Sequence, residues 1–276
     1  MIADHLFFAG INVLLAWSVY VVLLSGNLSF AQGAFMAVGC YCAGVLTVKL
    51  GWTLLPSVLL AGSFSALIAT IVGYPTLRLK GIYLILVTLG LTVCVRVLLE
   101  NFKFIGGVGG FGGMKGADLT WVLMAVLIFG TLLYFFSRGP MQLVCDAVRE
   151  DELVAASLGI NVVATKLATF AVGAFIAGVA GALYGHYMNF VRPENFDVLL
   201  SIYVVLYVVL GGVNNMWGPL VGALIMTLLP EYIRILAEWR PSVFGLSILL
   251  ILLLRPQGIL RFRMSTQRSK ELLRHG

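Results

Sequence analysis

The sequence predicts an all-α integral membrane protein, a polytopic bundle of about 8–10 transmembrane helices. Three observations carry this. Of the 276 residues, 61% are hydrophobic and 11% charged, against about 25% charged in a soluble domain. No Asp, Glu, Lys or Arg occurs from Leu6 to Val48, which leaves room for two crossings at about 20 residues each. The apolar runs are continuous and rich in Leu, Ala, Val and Gly, whereas a β-barrel needs alternating strands of roughly ten residues.

Taken in order, about nine segments are expected, at 6–25, 33–50, 53–73, 81–99, 119–137, 165–188, 198–212, 217–236 and 242–254. The seventh and ninth are short, as tilted, broken or re-entrant segments are. Residues 1–5 carry Asp4 and no Lys or Arg, and the apolar run after them is too long for a leader, so no signal peptide is expected. Arg78, Lys80, Arg138, Arg149, Lys166, Arg255, Arg261, Arg263, Arg268, Lys270 and Arg274 place 11 basic residues on one side. Lys49, Lys103, Lys115, Arg192, Arg234 and Arg240 place six on the other. The positive side is cytoplasmic, which sets the N-terminus outside and the C-terminus inside. Residues 1–264 then form one transmembrane domain and 265–276 a basic cytoplasmic tail. The net charge of +6 is thereby a topology signal, since no folded domain remains to bind nucleic acid.

Few side chains suggest chemistry. Gly107-Val108-Gly109-Gly110-Phe111-Gly112 fits G-x-G-x-x-G, but that pattern cradles pyrophosphate only inside a βαβ unit, and here it falls in an external loop. There is no P-loop. His5, His186 and His275 lack metal-ligand partners at helical spacing, and His186, near Asn189 and Arg192, suits an interfacial structural role. Cys40, Cys42, Cys94 and Cys145 suit small packing residues. Arg96 is the one charge well inside a segment, near enough to its end to snorkel. No catalytic residues, metal or cofactor are expected.

Two Gly/Asn/Ser-rich breaks, Gly26–Ala34 and Gly211–Pro219, interrupt apolar runs on the cytoplasmic side and faintly resemble each other. Broken helices lining a pathway are a transporter habit, which makes Asn27, Ser29, Gln32, Asn214 and Asn215 candidate pathway residues. The most informative loop spans about 138–164. Gly139-Pro140 can start a helix, Met141–Leu158 holds helix formers with no Gly or Pro, and Gly159 can stop it. This stretch suits either an amphipathic connector on the membrane or a rigid helix that docks into a partner.

Within that loop, Ala147-Val148-Arg149-Glu150-Asp151-Glu152 and Ala155-Ala156-Ser157-Leu158-Gly159-Ile160-Asn161 resemble the coupling loop of branched-chain amino acid ABC permeases of the LivM type. Leu77–Tyr83 with Val87-Thr88-Leu89, Ala177–Tyr184, Leu210-Gly211-Gly212 with Trp217–Ala223, and Leu254–Leu260 are similar to further family segments, in the family's order. Departures are Asn214-Asn215-Met216 in place of a Gly/Ser-like turn, and Gly139-Pro140-Met141 in place of a basic, Phe-Gly-like stretch. The chain also starts close to what resembles the family's second helix.

The resemblance implies an ABC importer permease fold in a bacterial inner membrane. It implies a non-enzymatic subunit that pairs with a second permease, two cytoplasmic ATPases and an external solute-binding protein, and that carries branched-chain or other neutral amino acids. Arg149, Glu150, Asp151, Glu152, Ala155, Ala156, Leu158 and Gly159 would then form the ATPase-coupling surface. Urea or short amides on the same scaffold, and a secondary transporter, are the alternatives. A secondary transporter needs internal coupling groups, for which Arg96 alone is poor support, and a membrane-embedded enzyme needs clustered His, Asp or Glu.

Overall fold

The computed structural model describes residues 2–79, 81–213 and 215–232. The ninth expected segment, the basic tail, Lys80, Asn214, Arg234, Arg240, His275 and the Leu254–Leu260 stretch lie outside the described residues. The other eight segments are helices: α1 (Ile2–Leu24), α2 (Gln32–Val48), α3 (Leu54–Thr76), α4 (Ile82–Asn101), α5 (Leu119–Arg138), α8 (Val162–Met188), α9 (Val198–Gly211) and α10 (Trp217–Tyr232). Two helices outside the spans, α6 (Pro140–Glu150) and α7 (Glu152–Ser157), occupy the long loop. Six of the described helical stretches are long and apolar enough to cross a membrane, and α2 and α10 are shorter apolar helices. The chain is thus a polytopic, all-α membrane protein.

Enclosure sorts the helices. The flanks of α1 and α8 are covered, and Phe7, Leu14, Trp17, Phe170, Ile176 and Leu183 are fully buried. The indole Nε1 of Trp17 donates to the Met216 carbonyl at 3.0 Å, anchoring the α9–α10 turn to α1. In contrast α3, α4 and α5 present Leu67, Ile71, Leu86, Leu98, Leu127 and Phe135 outward, as a lipid-facing wall does. Lipid tails are as apolar as leucine, so close packing rather than apolar transfer holds such helices together. The α2–α8 crossing shows how: a Cβ on Gly39 would lie 2.2 Å from the Gly178 carbonyl oxygen, and one on Gly181 1.9 Å from that of Met36. Of the four cysteines, Cys40 and Cys145 are buried in packing roles, whereas Cys94 faces outward.

The loops gather at two ends. A two-stranded antiparallel ribbon, β1 (Phe111–Gly112) with β2 (Phe190–Val191), joins the loop after α4 to the loop after α8. The G-x-G-x-x-G stretch runs into this ribbon, outside any βαβ unit. Tyr187 donates to the Asp4 carboxylate, which sets the start of α1 at the same end. At the other end, Lys166 pairs with Glu152 at 2.6 Å, and Ser25 shares a hydrogen bond with Thr169 at 2.8 Å. His186 is buried. Its Nδ1 lies 2.7 Å from the Ala182 carbonyl and so carries the proton, leaving Nε2 to accept from Thr47 Oγ1 at 2.9 Å. His186 thus has a structural role, buried in the bundle in the last turn of α8.

Arg96 is ion-paired and reaches toward the end of α4 that carries Glu100. It pairs with Glu100 at 2.8 Å, one turn on, and with Asp197 at 3.2 Å, at the start of α9. The neighbouring carboxylates neutralise it in place.

Candidate functional site

Two places concentrate polar groups: the α6–α7 loop and the break between α1 and α2. In the loop the sequence predicts one helix from Met141 to Leu158; the structure has two. Asp151 adopts extended backbone (φ −154°, ψ 113°), and its carboxylate accepts from the Leu153 and Val154 N–H groups at 2.8 and 3.2 Å. An aspartate that caps a new helix satisfies orphan donors and typically contributes about 1 kcal/mol. That preference outweighs continuous helix propensity at this position. The signal was legible in Asp151 itself.

The second helix ends as the sequence predicts. Gly159 has φ +82°. Its N–H donates to the Ala156 carbonyl at 3.0 Å, and the Ile160 N–H reaches back to Ala155 at 3.1 Å, the paired closure of a Schellman cap.

The proposed coupling residues divide by orientation. Arg149, Glu150, Asp151, Ala156, Leu158 and Gly159 are exposed, whereas Ala155 is buried. Ala155 therefore packs within its own chain. The outward apolar surface of α7 is Leu153, Val154 and Leu158, 81%, 55% and 73% exposed; Leu153 and Val154 were not singled out from the sequence. Glu152 is partly drawn in by Lys166, which ties α7 to the start of α8.

On α6, Cys145 and Val148 point inward. Burial pushes the Cys145 thiol up to about 11. Burial also raises the Asp146 carboxyl above its ordinary value, opposed by the hydrogen bond from Gln142 and the charge of Arg149. Behind α6 lies an apolar crevice of about 590 Å³, lined by Phe129, Phe136, Met141, Cys145, Thr169 and Phe175 among others.

The α1–α2 break packs against the middle of α4. Residues 27–31 are neither helix nor turn. The Phe30 N–H donates to Thr88 Oγ1 at 3.1 Å, and its carbonyl accepts from Thr92 Oγ1 at 3.0 Å. At 1.5 Å per residue, these threonines stand roughly 9 and 15 Å along α4 from its first residue. The Gly33 N–H donates to Ser201 Oγ on α9 at 2.9 Å. Backbone without its own ladder is tolerated at membrane depth when protein groups satisfy it, and here three hydroxyls do so. Asn27, Ser29 and Gln32 come together in this break, all buried. Asn215 is in the other break, half-buried, where its carbonyl accepts from the Gly218 N–H at 3.0 Å as α10 begins. The loop and the first break meet: a Cβ on Gly26 would lie 3.4 Å from the Arg149 Cα.

Comparison with known proteins places this arrangement. Residues 1–255 match the family described as branched-chain amino acid transport system / permease component. The high-affinity branched-chain amino acid transport system permease protein LivM of Salmonella typhimurium is 33% identical, and that of Escherichia coli 32%, each over 87% of this chain and 65% of the relative. This chain therefore spans just under two thirds of the length of those LivM proteins. The permease protein LivH of Escherichia coli is 24% identical over 85% of this chain and 86% of its own length. No solved structure matches.

Proposed function

The chain belongs to the family of branched-chain amino acid transport system permease components, and from that premise we propose that it is one membrane-spanning half of an ATP-binding cassette importer in a bacterial inner membrane. In this reading it carries branched-chain or other neutral amino acids, beside a second permease. Two cytoplasmic ATPases and an external solute-binding protein complete the assembly. The relatives are transport permease subunits by name, and this chain likewise supplies a path, with ATP hydrolysed in separate subunits.

The observation that carries the reading is the α6–α7 loop. It sits at the end that holds Arg78, Arg138, Arg149 and Lys166, the cytoplasmic end by charge. Its α7 exposes three apolar side chains beside the charged Arg149–Asp151 turn. Apolar anchors suit a groove, and the charges suit docking register. Arg149, Glu150, Asp151, Glu152, Ala156, Leu158 and Gly159 shape this surface, and Ala155 seats it on the bundle. Contact between Arg149 and Gly26 gives movement of α6 a way to reach the α1–α2 break, and the crevice behind α6 leaves it room to shift. Asn27, Ser29, Gln32, Asn214 and Asn215 are the proposed pathway residues.

The test is co-purification and transport. A tagged chain expressed with its candidate partners should bring down two ATPases, and the reconstituted complex should take up labelled leucine with ATP and the binding protein. Ala156→Arg should cut ATPase binding or coupled hydrolysis while the permease still inserts. A chain that transports without any ATPase refutes the importer reading. An Ala156→Arg complex that assembles and transports at the wild-type rate refutes the coupling role. Sidedness is checked in a background without native cysteines. Val108→Cys should label from outside with an impermeant maleimide, and Leu153→Cys should not.

A further inference from the structure

Resting on the transport reading above, we propose that the N-terminus of α2 and the Gln32 amide form the point that recognises the carboxylate and ammonium groups of a zwitterionic solute. Gln32 is the first residue of α2 and 1% exposed, yet both its Nε2 and its Oε1 lack a hydrogen-bond partner among the described residues. Asn27, 5% exposed, has an unpartnered Nδ2 in the same break. An unpaired buried polar group carries its full desolvation penalty, and an apolar side chain of Gln32's length would avoid it. The amide is therefore a poor choice for stability alone.

The setting suits a ligand. Side chains on a helix lean toward its N-terminus, so the Gln32 head group lies at the break. There α2, 17 residues long, begins with no side-chain cap of its own, Ala31 standing in the capping position. A helix start presents N–H groups and partial positive charge, which favour an anion. Asn27 Nδ2 and Gln32 Nε2 add donors, while Gln32 Oε1 offers an acceptor to an ammonium group. None of these groups carries a net charge. A solute bearing both signs is matched, whereas a purely anionic or cationic one is left uncompensated. The site is also held rigid. Thr88 and Thr92 fix both backbone groups of Phe30, and Ser201 fixes the Gly33 N–H. The bond to Ser201 and the pair to Phe30 bring α9 and α4 to the same point, so a shift of either helix would open it.

The experiment uses the full complex in proteoliposomes, with two readouts on the same samples: thermal unfolding midpoint, and ATP-driven uptake of labelled leucine beside labelled acetamide. Gln32→Leu and Gln32→Met both remove the unpaired groups. Both are expected to melt at or above the wild-type temperature while leucine uptake falls by about tenfold or more, the scale of one lost polar contact. Wild-type leucine uptake retained in both variants overturns the assignment alone and leaves the transport reading intact. Failure of both variants to assemble gives the amide a folding role and also overturns the assignment. A wild-type complex that carries acetamide and not leucine overturns the assignment together with the amino acid reading.

Discussion

Replacing Gly159 isolates the backbone contribution to the α6–α7 loop. A Cβ built there meets nothing within 4 Å, so a β-carbon has no clash to make. What opposes substitution is φ, at +82°. An ordinary L-residue in the left-handed region costs about 1–2 kcal/mol, a β-branched residue more, and asparagine less. The six-residue α7 has little stability of its own, and its two closing bonds, Gly159 to Ala156 and Ile160 to Ala155, depend on that conformation. The expected order of damage is Asn, then Ala, then Val. Hydrogen exchange of the 155–160 amides should quicken by about tenfold for Gly159→Ala and about thirtyfold for Gly159→Val, as 1.4 and 2 kcal/mol dictate. Global unfolding should barely move, because the packed spans do not use these bonds. ATPase association should weaken in the same order. Exchange that follows side-chain volume, with Asn worse than Ala, or a Val variant exchanging like wild type, would refute the backbone argument.

Thr92→Val keeps the shape of the side chain but leaves the Phe30 carbonyl without its 3.0 Å donor; it should destabilise by about 1–3 kcal/mol, read from the midpoint of denaturant unfolding in detergent. Gly39→Ala forces a methyl to 2.2 Å from the Gly178 carbonyl oxygen, whereas Gly90→Ala meets nothing within 4 Å. The first should cost about 1–3 kcal/mol through overpacking, and the second should gain roughly 0.5–1 kcal/mol from helix propensity in the same assay. Asp146→Asn should stabilise at neutral pH. Burial raises the folded-state pKa of Asp146, so the wild type loses stability as pH rises from the ordinary carboxylate range through that raised value. The variant lacks this loss, and its Nδ2 can donate to the orphaned Gln142 Oε1. Melting temperatures should show a gain at pH 7 that shrinks toward pH 4, where the wild-type carboxyl protonates.

The spans were legible because a crossing needs a long uncharged run and this chain has little else. The expected segment 119–137 became Leu119–Arg138, and 33–50 became Gln32–Val48. What the sequence hid depends on distant partners. Gly26 announces a break, but its depth is set by Thr88, Thr92 and Ser201, which stand 58, 62 and 168 positions from the groups they bind. Glu100, one turn from Arg96, was readable as a partner; Asp197, on another helix, was not. The division of the 141–158 helix is the opposite case. Asp151 lies in the stretch itself, and counting helix formers on both sides masked a capping residue between them.

Two features of the structure bring the sites together. The α1–α2 break packs against the middle of α4, and the loop helix is divided at Asp151. With α6 ending at Glu150, its last turn is free to lie against Gly26, 3.4 Å from where a Cβ would be. One helix running on to Leu158 would have to carry α6 and the surface of α7 along one axis. Two short helices joined at Asp151 let α7 face a partner while α6 keeps contact with the break. The break in turn is fastened to α4 and α9 through Phe30 and Gly33. The α6–α7 loop and the α1–α2 break therefore touch at Arg149 and Gly26, and the chain 27–31 leads on to the Gln32 end of α2. In the proposed importer, a push on Leu153 or Leu158 would reach the break through this contact.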